Sequence, residues 1–573
     1  MDQKTVFSKG LPWLGPIVRF ARNPYAFMQA AHDACGEVAS FTLLGQRVHL
    51  LTGAEASALF YKSSDEMLDQ SAAYQLMTPI FGPGLVFDAP TAKKNEQLKM
   101  LMPVLRLEAM RGHASKVVQE VEDLTQSWQK AAGGEVELVA FMKQLTINTA
   151  SHCLLGREFR YELTDEFAQI YHDLEKGIQP IAYHFPNLPL PAFKQRDRAR
   201  ARLQELVGGI VAKRGQQADK PDDMLQSLID ASYADGSKLD ANEITGLLIA
   251  AIFAGHHTSS GTAAWVLIEL LRHPHLWRQA RAEVDAVLGA DGAITFDSLR
   301  ELPTLEAVLK EVLRLHPPLI LLMRQVLVDI PFKDHIFKAG DMVWASPPVT
   351  QRMASLFPNP LVFDIERYAA GREEDRNLMA YQPFGGGKHK CSGNSFAIFQ
   401  IKAIFAVLLR RFEFELVDSP ETYRDDYTQM IVQPAAPCRV RYRLRSDAPV
   451  GNGGKVSPVA APPAACPMHA SSAANAIKTE AAQAGFSASN AENTLKNQTK
   501  TLRIIHDAQL CQGHAVCQGE APDYFFVDAS SVLHIKQAVV AAGDEAQVRR
   551  AVHYCPNGAL RLEAVQAESA GLA

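Results

Sequence analysis

The segment Phe384–Gly393, FGGGKHKCSG, constrains the fold most, because it places a single cysteine, Cys391, just ahead of a long apolar run. A thiolate at the N-terminus of a helix is stabilised by free backbone N–H groups and by the helix dipole, so it stays ionised and binds a metal. The glycines Gly385–Gly387 allow a tight turn close to a flat ligand, beneath which Phe384 packs. A phosphate loop is excluded, since Lys388 is followed by histidine instead of Ser or Thr. The segment therefore indicates a thiolate-bound cofactor, with a buried structural cysteine as the alternative.

The spacing of Phe384, Gly387, Cys391 and Gly393, with His389 two residues before the cysteine, resembles the haem-thiolate signature of the cytochrome P-450 superfamily. The resemblance implies haem b with Cys391 as the axial ligand. It also implies O2 as a substrate and a monooxygenase activity.

Two further motifs carry the same resemblance. Glu311 and Arg314 lie at i, i+3 on one helix face, a spacing at which opposite charges pair. Together with Arg367 they resemble the triad that braces the haem-binding side in the superfamily, although Ile365 stands where the family commonly has proline. We expect little effect from that difference.

Three side chains resemble residues that pair with the haem propionates in the superfamily. They are Arg324 in LLMRQV, His389 and Tyr74. Gln97 stands where some relatives carry a propionate-binding lysine, so the resemblance does not extend to that contact.

The segment Asn242–Leu271 is predicted to be a long apolar helix, interrupted in its middle by the polar run Gly255–Ser260, GHHTSS. The apolar stretch before this run is too short to cross a bilayer. A central helix that crosses a cofactor explains the interruption. Gly255 leaves a gap for a small ligand, Thr258 is placed to hydrogen-bond O2, and His257 titrates near neutrality and relays protons. Histidines satisfied inside the core are the alternative.

Several stretches are similar to one branch of the superfamily, the sterol 14α-demethylases. A His-Thr pair replaces the usual acid-Thr pair, and the loop Tyr74–Asp88, YQLMTPIFGPGLVFD, matches the substrate-loop pattern of that branch. The resemblance implies three successive oxygenations of the sterol 14α-methyl group, ending in loss of formic acid. Leu76 implies a lanosterol-like substrate, because members with Leu or Ile there favour 4,4-dimethyl sterols. The predicted substrate residues are Tyr74, Leu76, Phe81, Phe87 and Gly255.

Periodicity predicts a mainly α fold with a small β-rich part, and the resemblance implies that residues 1–445 form a haem-thiolate monooxygenase domain. Helical periodicity dominates from about Glu96 to Leu315, and Val38–Leu51 is predicted to form a short hairpin. With 573 residues and a net charge of -5, the chain has no basic footprint for nucleic acid. The N-terminus lacks a signal peptide or spanning segment, so we expect a cytoplasmic protein without a transmembrane anchor.

Residues 446–500 are rich in Ala, Pro, Ser, Gly and Asn, which predicts a flexible linker. Residues 501–573 contain Cys511, Cys517 and a distant Cys-Pro at Cys555, with His514 in the middle of the first motif. This spacing is poor for zinc and resembles single-cluster bacterial ferredoxins. The segment is thus predicted to be a small α+β ferredoxin-like domain. Three thiolates fit a [3Fe-4S] cluster, and His514 as a fourth ligand to [4Fe-4S] is the alternative.

The C-terminal segment carries 5 Lys+Arg and 8 Asp+Glu, a net charge of 5 - 8 = -3. We expect it to dock electrostatically on a basic face near Cys391, formed by Lys388, Lys390, Arg106 and Arg111. Because the chain shows no dinucleotide fingerprint, an external NAD(P)H-dependent ferredoxin reductase is implied.

Two other activities compete with sterol demethylation. One is hydroxylation of another lipid or terpenoid by the same haem chemistry. The other is a haem-based redox or gas sensor that binds without turnover, which Thr258 and the attached electron donor argue against.

Overall fold

The structure is a computed structural model of the 573-residue chain. It describes residues 7, 15–131, 133–183, 185–289, 292–446, 501–508, 510–528, 530–541 and 543–565. Apart from residue 446, the predicted linker lies outside the described residues, and the domain limits 1–445, 446–500 and 501–573 stay predictions.

The N-terminal part is mainly helical, in agreement with its predicted fold class. The helices before the linker are Ile17–Arg22, Pro24–Cys35, Ala54–Lys62, Thr78–Phe81, Thr91–Met100, Leu107–Leu124, Gln126–Lys130, Leu138–Ala150, Thr164–Glu175, Pro191–Gly215, Met224–Asp230, Ala241–Arg272, Pro274–Leu288, Phe296–Arg300, Pro303–Leu315, Pro347–Thr350 and Asn394–Arg411. Most of their apolar faces enter one large core.

The helix Ala241–Arg272, called the central helix below, crosses that core. It begins at a capping box, in which the Asp240 carboxylate accepts from the Glu243 N–H and the Glu243 carboxylate accepts from the Asp240 N–H. It ends before Pro274, which cannot continue a helix without breaking its hydrogen bonds. The apolar residues are buried on all sides of this helix, which explains why the sequence shows so little amphipathic periodicity there.

Two sheets flank the helices. The larger has the strand order Val38–Leu43, Gln46–Leu51, Met342–Ala345, Leu322–Val326 and Leu68–Asp69. Its first two strands form the predicted hairpin, with Leu43 opposite Gln46. The smaller sheet has the order Gly134–Glu137, Arg439–Leu444 and Phe412–Leu416, and two short pairs complete the set: Ile330–Phe332 with His335–Phe337, and Asp425–Asp426 with Gln433–Pro434.

The C-terminal part is a small α+β unit with its own apolar core, as predicted. One sheet has the order Val539–Val540, Thr501–His506 and Leu560–Val565, and a hairpin pairs Phe525–Val527 with Leu533–Ile535. The helices among its described residues are Val516–Glu520 and Glu545–His553.

One helical segment in the described residues, Gly387–Arg411, is long and apolar enough to span a membrane by length and composition. Of its most apolar window, 72% is buried inside the protein. A core helix passes the same test, so the segment is weak evidence for a membrane span.

Candidate functional site

The loop before the helix Asn394–Arg411 holds Cys391 through its backbone. The Cys391 N–H donates to the Phe384 carbonyl oxygen at 2.9 Å. Gly387 has φ +63°, and a Cβ there would lie 1.9 Å from the carbonyl oxygen of Tyr61. Only glycine therefore fits this turn against the neighbouring helix.

The Cys391 side chain borders an open interior space. It has free surface, yet enough protein surrounds it that burial raises the pKa of its thiol. The Gly393 N–H and the charge of Lys390 act in the opposite direction and favour the thiolate. A metal ligand needs this combination of an accessible sulfur and nearby positive groups.

The middle of the central helix also borders open space. Ala254 is exposed, although most residues of this helix are buried, and a Cβ at Gly255 would meet no atom within 4 Å. The partly accessible Thr258 donates its hydroxyl proton to the Ala254 carbonyl oxygen at 2.8 Å. The helix thus presents a gap and a hydroxyl at the positions that the sequence singled out.

The two histidines of the central helix have different partners. His257 Nε2 pairs with a carboxylate oxygen of Glu175, which lies at the end of the helix Thr164–Glu175. His256 is buried, its Nδ1 lies 3.0 Å from the Thr146 hydroxyl, and burial holds its pKa well below the ordinary value. His256 is therefore a core histidine, whereas His257 belongs to an acid–imidazole pair. Glu175 was missed, because it is 82 residues away in sequence.

Aromatic rings gather beside the central helix. Phe87 stacks on Tyr74 with ring centroids 4.7 Å apart, and its ring lies 6.2 Å from that of Phe81. Phe81 packs edge-on against Phe253 of the central helix at 6.1 Å. Tyr74, Phe81 and Phe87 are thus brought together as one apolar wall, and Leu76 lies buried in the same core as Phe81.

A cluster of cations surrounds one buried carboxylate, Asp65. Asp65 Oδ2 lies 2.9 Å from Lys388 Nζ and 4.0 Å from Lys94 Nζ, and Oδ1 accepts from His389 Nε2. Burial alone raises the pKa of Asp65, but His389 and Lys388 hold it well below its usual range. Lys94, Lys388 and Asp65 were not among the predicted propionate partners.

Arg324 lies buried near this cluster. Its Nη1 donates to the Phe60 carbonyl oxygen at 2.7 Å, but its Nε has no hydrogen-bond partner in the described part of the chain. Tyr74 lies close by, because its hydroxyl accepts from the Met323 N–H at 3.4 Å. A buried guanidinium that is incompletely paired favours an anionic ligand. Gln97, by contrast, is occupied by the loop that it braces, at Val86 N and Gly84 O.

The predicted triad is fully buried on the cysteine side. Glu311 lies 2.8 Å from both Arg314 Nε and Nη2, and its Oε1 lies 3.2 Å from Arg367 Nε. Arg314 also donates to the Gln351 carbonyl oxygen, and the Gln351 side chain accepts from the Gln382 N–H at 2.8 Å. The network therefore reaches the segment that leads into Phe384. Ile365 is buried in the core and does not disturb it.

In the C-terminal unit the three predicted cysteines line one small pocket with His514. The remaining walls are largely apolar and include Val527, Leu533, Ala559 and Leu560. Among the described residues, the group whose ligand atoms all lie within 4.8 Å of one another is Glu175, His256 and His257, so the three cysteine sulfurs are spread more widely.

Comparison with known proteins identifies both parts. The family model "Cytochrome P450" matches residues 7–441, which is more than half of the chain. The chain belongs to the cytochrome P450 family. A second model, "4Fe-4S single cluster domain", matches residues 504–562. The P450 part is thus a haem-thiolate monooxygenase domain, and the C-terminal part is a ferredoxin domain that implies an iron–sulfur cluster.

Curated relatives place the P450 domain in the sterol 14α-demethylase family. The sterol 14α-demethylase of Mycobacterium tuberculosis is 45% identical over 437 residues, which cover 75% of this chain and 96% of that protein. The obtusifoliol 14-alpha demethylase of Sorghum bicolor is 40% identical, with 76% and 89% covered. The lanosterol 14-alpha demethylase of Cunninghamella elegans is 35% identical, with 78% and 91% covered.

Solved structures agree with the P450 fold. The retinoic acid bound cyanobacterial CYP120A1 matches with a TM-score of 0.68 and 25% identity, covering 76% of this chain and 98% of that chain. The cytochrome P450DA heme domain matches with a TM-score of 0.69 and 23% identity, covering 77% and 97%.

The residues of the P450 domain fit a haem. Cys391 offers an accessible sulfur, and the cations Arg324, Lys94 and Lys388 outnumber the single carboxylate of Asp65. Two propionates would supply the missing negative charge. His389 Nε2 is already bound to Asp65, so Nδ1 is the ring atom left for a propionate.

The ferredoxin domain lies against the Cys391 side of the P450 domain. Lys390 Nζ donates to the Pro556 carbonyl oxygen at 2.5 Å, and Arg106 Nη2 donates to the Ser531 hydroxyl at 2.9 Å. Arg300, which the sequence did not single out, pairs with Glu520 at 2.6 Å and lies over the ring of Tyr554 at 3.8 Å. In these contacts the P450 domain contributes cations, and the ferredoxin domain contributes a carboxylate, neutral acceptors and an aromatic ring.

Two of the four cations predicted for this contact are elsewhere. The Lys388 ammonium binds Asp65 within the P450 domain, and Arg111 lies 3.8 Å from Asp297. Both prefer a carboxylate of their own domain to a distant partner. The prediction was therefore right in its location and wrong for these two side chains.

Proposed function

We propose that the chain is a sterol 14α-demethylase that removes the 14α-methyl group of a lanosterol-like sterol, with electrons from its own ferredoxin domain. Support comes from the names of its relatives and from the apolar wall of Tyr74, Phe81 and Phe87 beside the central helix. Such a wall suits a rigid apolar ligand with few polar groups. The observation that carries the proposal is the 45% identity that spans nearly the whole length of a sterol 14α-demethylase.

The reaction consists of three successive monooxygenations. The methyl group becomes an alcohol, then an aldehyde, and finally leaves as formic acid while a ring double bond forms. Each monooxygenation consumes one O2 and two electrons. Haem bound through Cys391 supplies the oxygen-activating chemistry.

The other roles belong to side chains around the open space. Gly255 leaves room beside the central helix, and Thr258 offers a hydroxyl whose own proton is held by the Ala254 carbonyl oxygen. His257 Nε2 lies against the Glu175 carboxylate, so this acid–imidazole pair is placed on the central helix to relay protons. Arg324, His389 and Tyr74 would hold the propionates.

For the ferredoxin domain we favour a [3Fe-4S] cluster on Cys511, Cys517 and Cys555. The chain offers three thiolates there, and His514 completes a [4Fe-4S] cluster in the alternative. Burial and the charge of Lys390 lower the pKa of His514 to about 4, so the ring is neutral and able to bind a metal. Electron paramagnetic resonance of the oxidised protein distinguishes the two, because only [3Fe-4S] is paramagnetic in that state.

The proposal includes a cytoplasmic location and an external NAD(P)H-dependent ferredoxin reductase. The reductase is implied because the chain shows no dinucleotide fingerprint. One-electron delivery from the ferredoxin domain then matches the needs of the haem.

The test supplies purified protein with a ferredoxin reductase, NADPH and lanosterol, followed by mass spectrometry of the sterols. We expect the 14-demethylated diene together with formate. Thr258→Ala should lower product formation about 10²-fold, because it removes the hydroxyl that would accept a proton from one group and pass its own to the next. Untouched sterol in the presence of reduced haem would contradict the substrate assignment, and a haem that stays oxidised would contradict the role of the ferredoxin.

A further inference from the structure

One side chain joins the loops that carry the two metal-ligating sites. Gln512 follows Cys511, and its Nε2 donates to the Lys390 carbonyl oxygen at 2.8 Å and to the Lys388 carbonyl oxygen at 3.3 Å. Carbonyl oxygens only accept, so the amide nitrogen must face the P450 domain and the orientation of the amide is fixed. Lys390 immediately precedes Cys391.

The other end of the same amide faces the cluster pocket. Gln512 Oε1 lies 3.2 Å from His514 Nε2. Because Oε1 only accepts, Nε2 must carry the hydrogen. His514 Nδ1 is buried in the pocket and has no hydrogen-bond partner in the part of the chain that the structure describes. Gln512 thus contacts the cluster pocket on one side and the haem-ligand loop on the other.

We propose that Gln512 is the electron-transfer contact between the iron–sulfur cluster and the haem. A single hydrogen bond connects the residue after Cys511 to the residue before Cys391, and the rest of that path is covalent. Two other contacts join the cysteine loops: Lys390 Nζ reaches the Pro556 carbonyl oxygen through the whole lysine side chain, and Asn394 Nδ2 meets Asn557 Oδ1 at the longer distance of 3.5 Å. This inference rests on the proposed function, in which the ferredoxin domain reduces the haem.

The proposed step is the transfer of a single electron. One electron leaves the reduced cluster and enters ferric haem, no bond is broken, and the neutral amide of Gln512 neither gains nor loses a proton. The cluster is reduced beforehand by a flavoprotein reductase or, in the test, by a photoexcited dye with a sacrificial donor.

The docking of the ferredoxin domain on the P450 domain does not depend on Gln512 alone. The Arg300–Glu520 pair at 2.6 Å, the Arg300–Tyr554 contact and the Arg106–Ser531 hydrogen bond remain when its side chain is removed. Gln512→Ala should therefore alter the coupling while leaving the docked arrangement in place. Gln512 acts through the two loops and is a positioning residue.

The experiment uses the full chain with haem and cluster, under carbon monoxide. A flash reduces the cluster, and absorbance follows formation of the ferrous haem–carbon monoxide adduct. The comparison includes wild type, Gln512→Ala and the matched control Gln537→Ala. Gln537 is an exposed glutamine of the same domain whose amide contacts the Asp523 carbonyl oxygen.

We expect Gln512→Ala to slow the intramolecular step about tenfold or more, because the contact between the two loops is lost. Its cluster resonance, its haem spectrum and the salt dependence of the rate should match wild type, as should every property of Gln537→Ala. A wild-type rate in Gln512→Ala would overturn the inference, and so would a changed salt dependence, which indicates altered docking. If wild type itself transfers no electron, the proposed function fails first, so the two failures are distinguishable.

Discussion

The two sides of the haem site are built in opposite ways. On the cysteine side, Glu311, Arg314 and Arg367 are fully buried and the turn at Gly387 admits no side chain. On the side of the central helix, Gly255 faces open space and Thr258 is partly accessible. The difference indicates that the metal ligand and the electron entry are held rigidly, while the side that receives O2 and substrate keeps room to accommodate them.

The largest effect that would test this comparison comes from the buried triad. Arg367→Ala removes a cation that lies on Glu311 and donates to the carbonyl oxygens of Pro358 and Asn359. We expect the free energy of unfolding of the P450 domain to fall by about 3–5 kcal/mol, because buried Glu311 loses one of its two arginines and two buried carbonyl oxygens lose their donor. Denaturant unfolding followed by the spectrum of the ferrous haem–carbon monoxide adduct measures this.

The matched control is an exposed ion pair of the same type. Arg202 lies 2.7 Å from Glu166, and both side chains are largely exposed. Arg202→Ala should change the free energy of unfolding by about 0–1 kcal/mol, since water screens the pair. Equal losses for the two arginine variants would contradict the rigid character of the cysteine side.

A glycine-to-alanine substitution on the cysteine side and another on the central helix test the comparison directly. A Cβ at Gly387 lies 1.9 Å from a backbone oxygen at φ +63°, so Gly387→Ala should reduce the free energy of unfolding by at least about 2 kcal/mol. Gly255→Ala places its methyl group in open space within a helix, where Ala is more stable than Gly by about 0.5–1 kcal/mol. Thermal unfolding of both variants should give shifts of opposite sign, and sterol titration should show weaker binding only in Gly255→Ala.

A smaller, pH-dependent effect belongs to Asp65. Its folded pKa is held below the usual value by His389 and Lys388 against the effect of burial, so the unfolded chain binds the proton more readily. The stabilisation is therefore complete above the unfolded pKa of about 3.9 and is lost as the pH falls towards the lower folded value. Asp65→Asn should cost about 1–3 kcal/mol of unfolding free energy at pH 7 and progressively less below about pH 4.

Unfolding at several pH values checks this prediction. Asp222→Asn changes an exposed carboxylate and should stay within about 0.5 kcal/mol of wild type throughout. If Asp65→Asn lowers the free energy of unfolding by the same amount at pH 3 and at pH 7, the result would contradict the assignment of an ionised Asp65.

The sequence predicted the features that short motifs determine. The Cys391 loop, the i, i+3 pair of the triad and the polar break in the central helix each depend on residues close together in the chain. The partners that were missed come from distant segments: Glu175 is 82 residues from His257, and Asp65 is 323 residues from Lys388. Only the fold decides which carboxylate meets which cation: Arg111, for example, lies 3.8 Å from Asp297, which is 186 residues away in the chain, since 297 - 111 = 186.

The smallest expected effect concerns the contact between the ferredoxin domain and the cysteine side of the P450 domain. Arg300 and Glu520 are 22% and 7% exposed, so their ion pair is partly shielded from water. Reversing one charge, as in Glu520→Arg, should slow intramolecular haem reduction about fivefold at low salt, and the double variant Arg300→Glu/Glu520→Arg should recover part of the rate. Arg549→Glu breaks an exposed pair with Glu545 inside the ferredoxin domain and should leave the rate unchanged.

Recovery in the double variant is the decisive result, because each single reversal also removes other contacts of its residue. Arg300 lies over Tyr554, and Glu520 accepts from Arg550 as well, so full recovery is not expected. If the ion pair orients the domains, the reversed pair is again attractive and restores part of the rate of haem reduction. High salt should then reduce the differences in rate between the variants, because it screens the charges. If the loss of rate in the double variant equals the combined losses of the two single variants, this ion pair does not orient the domains. The docked arrangement must then depend on the Lys390 and Arg106 contacts instead.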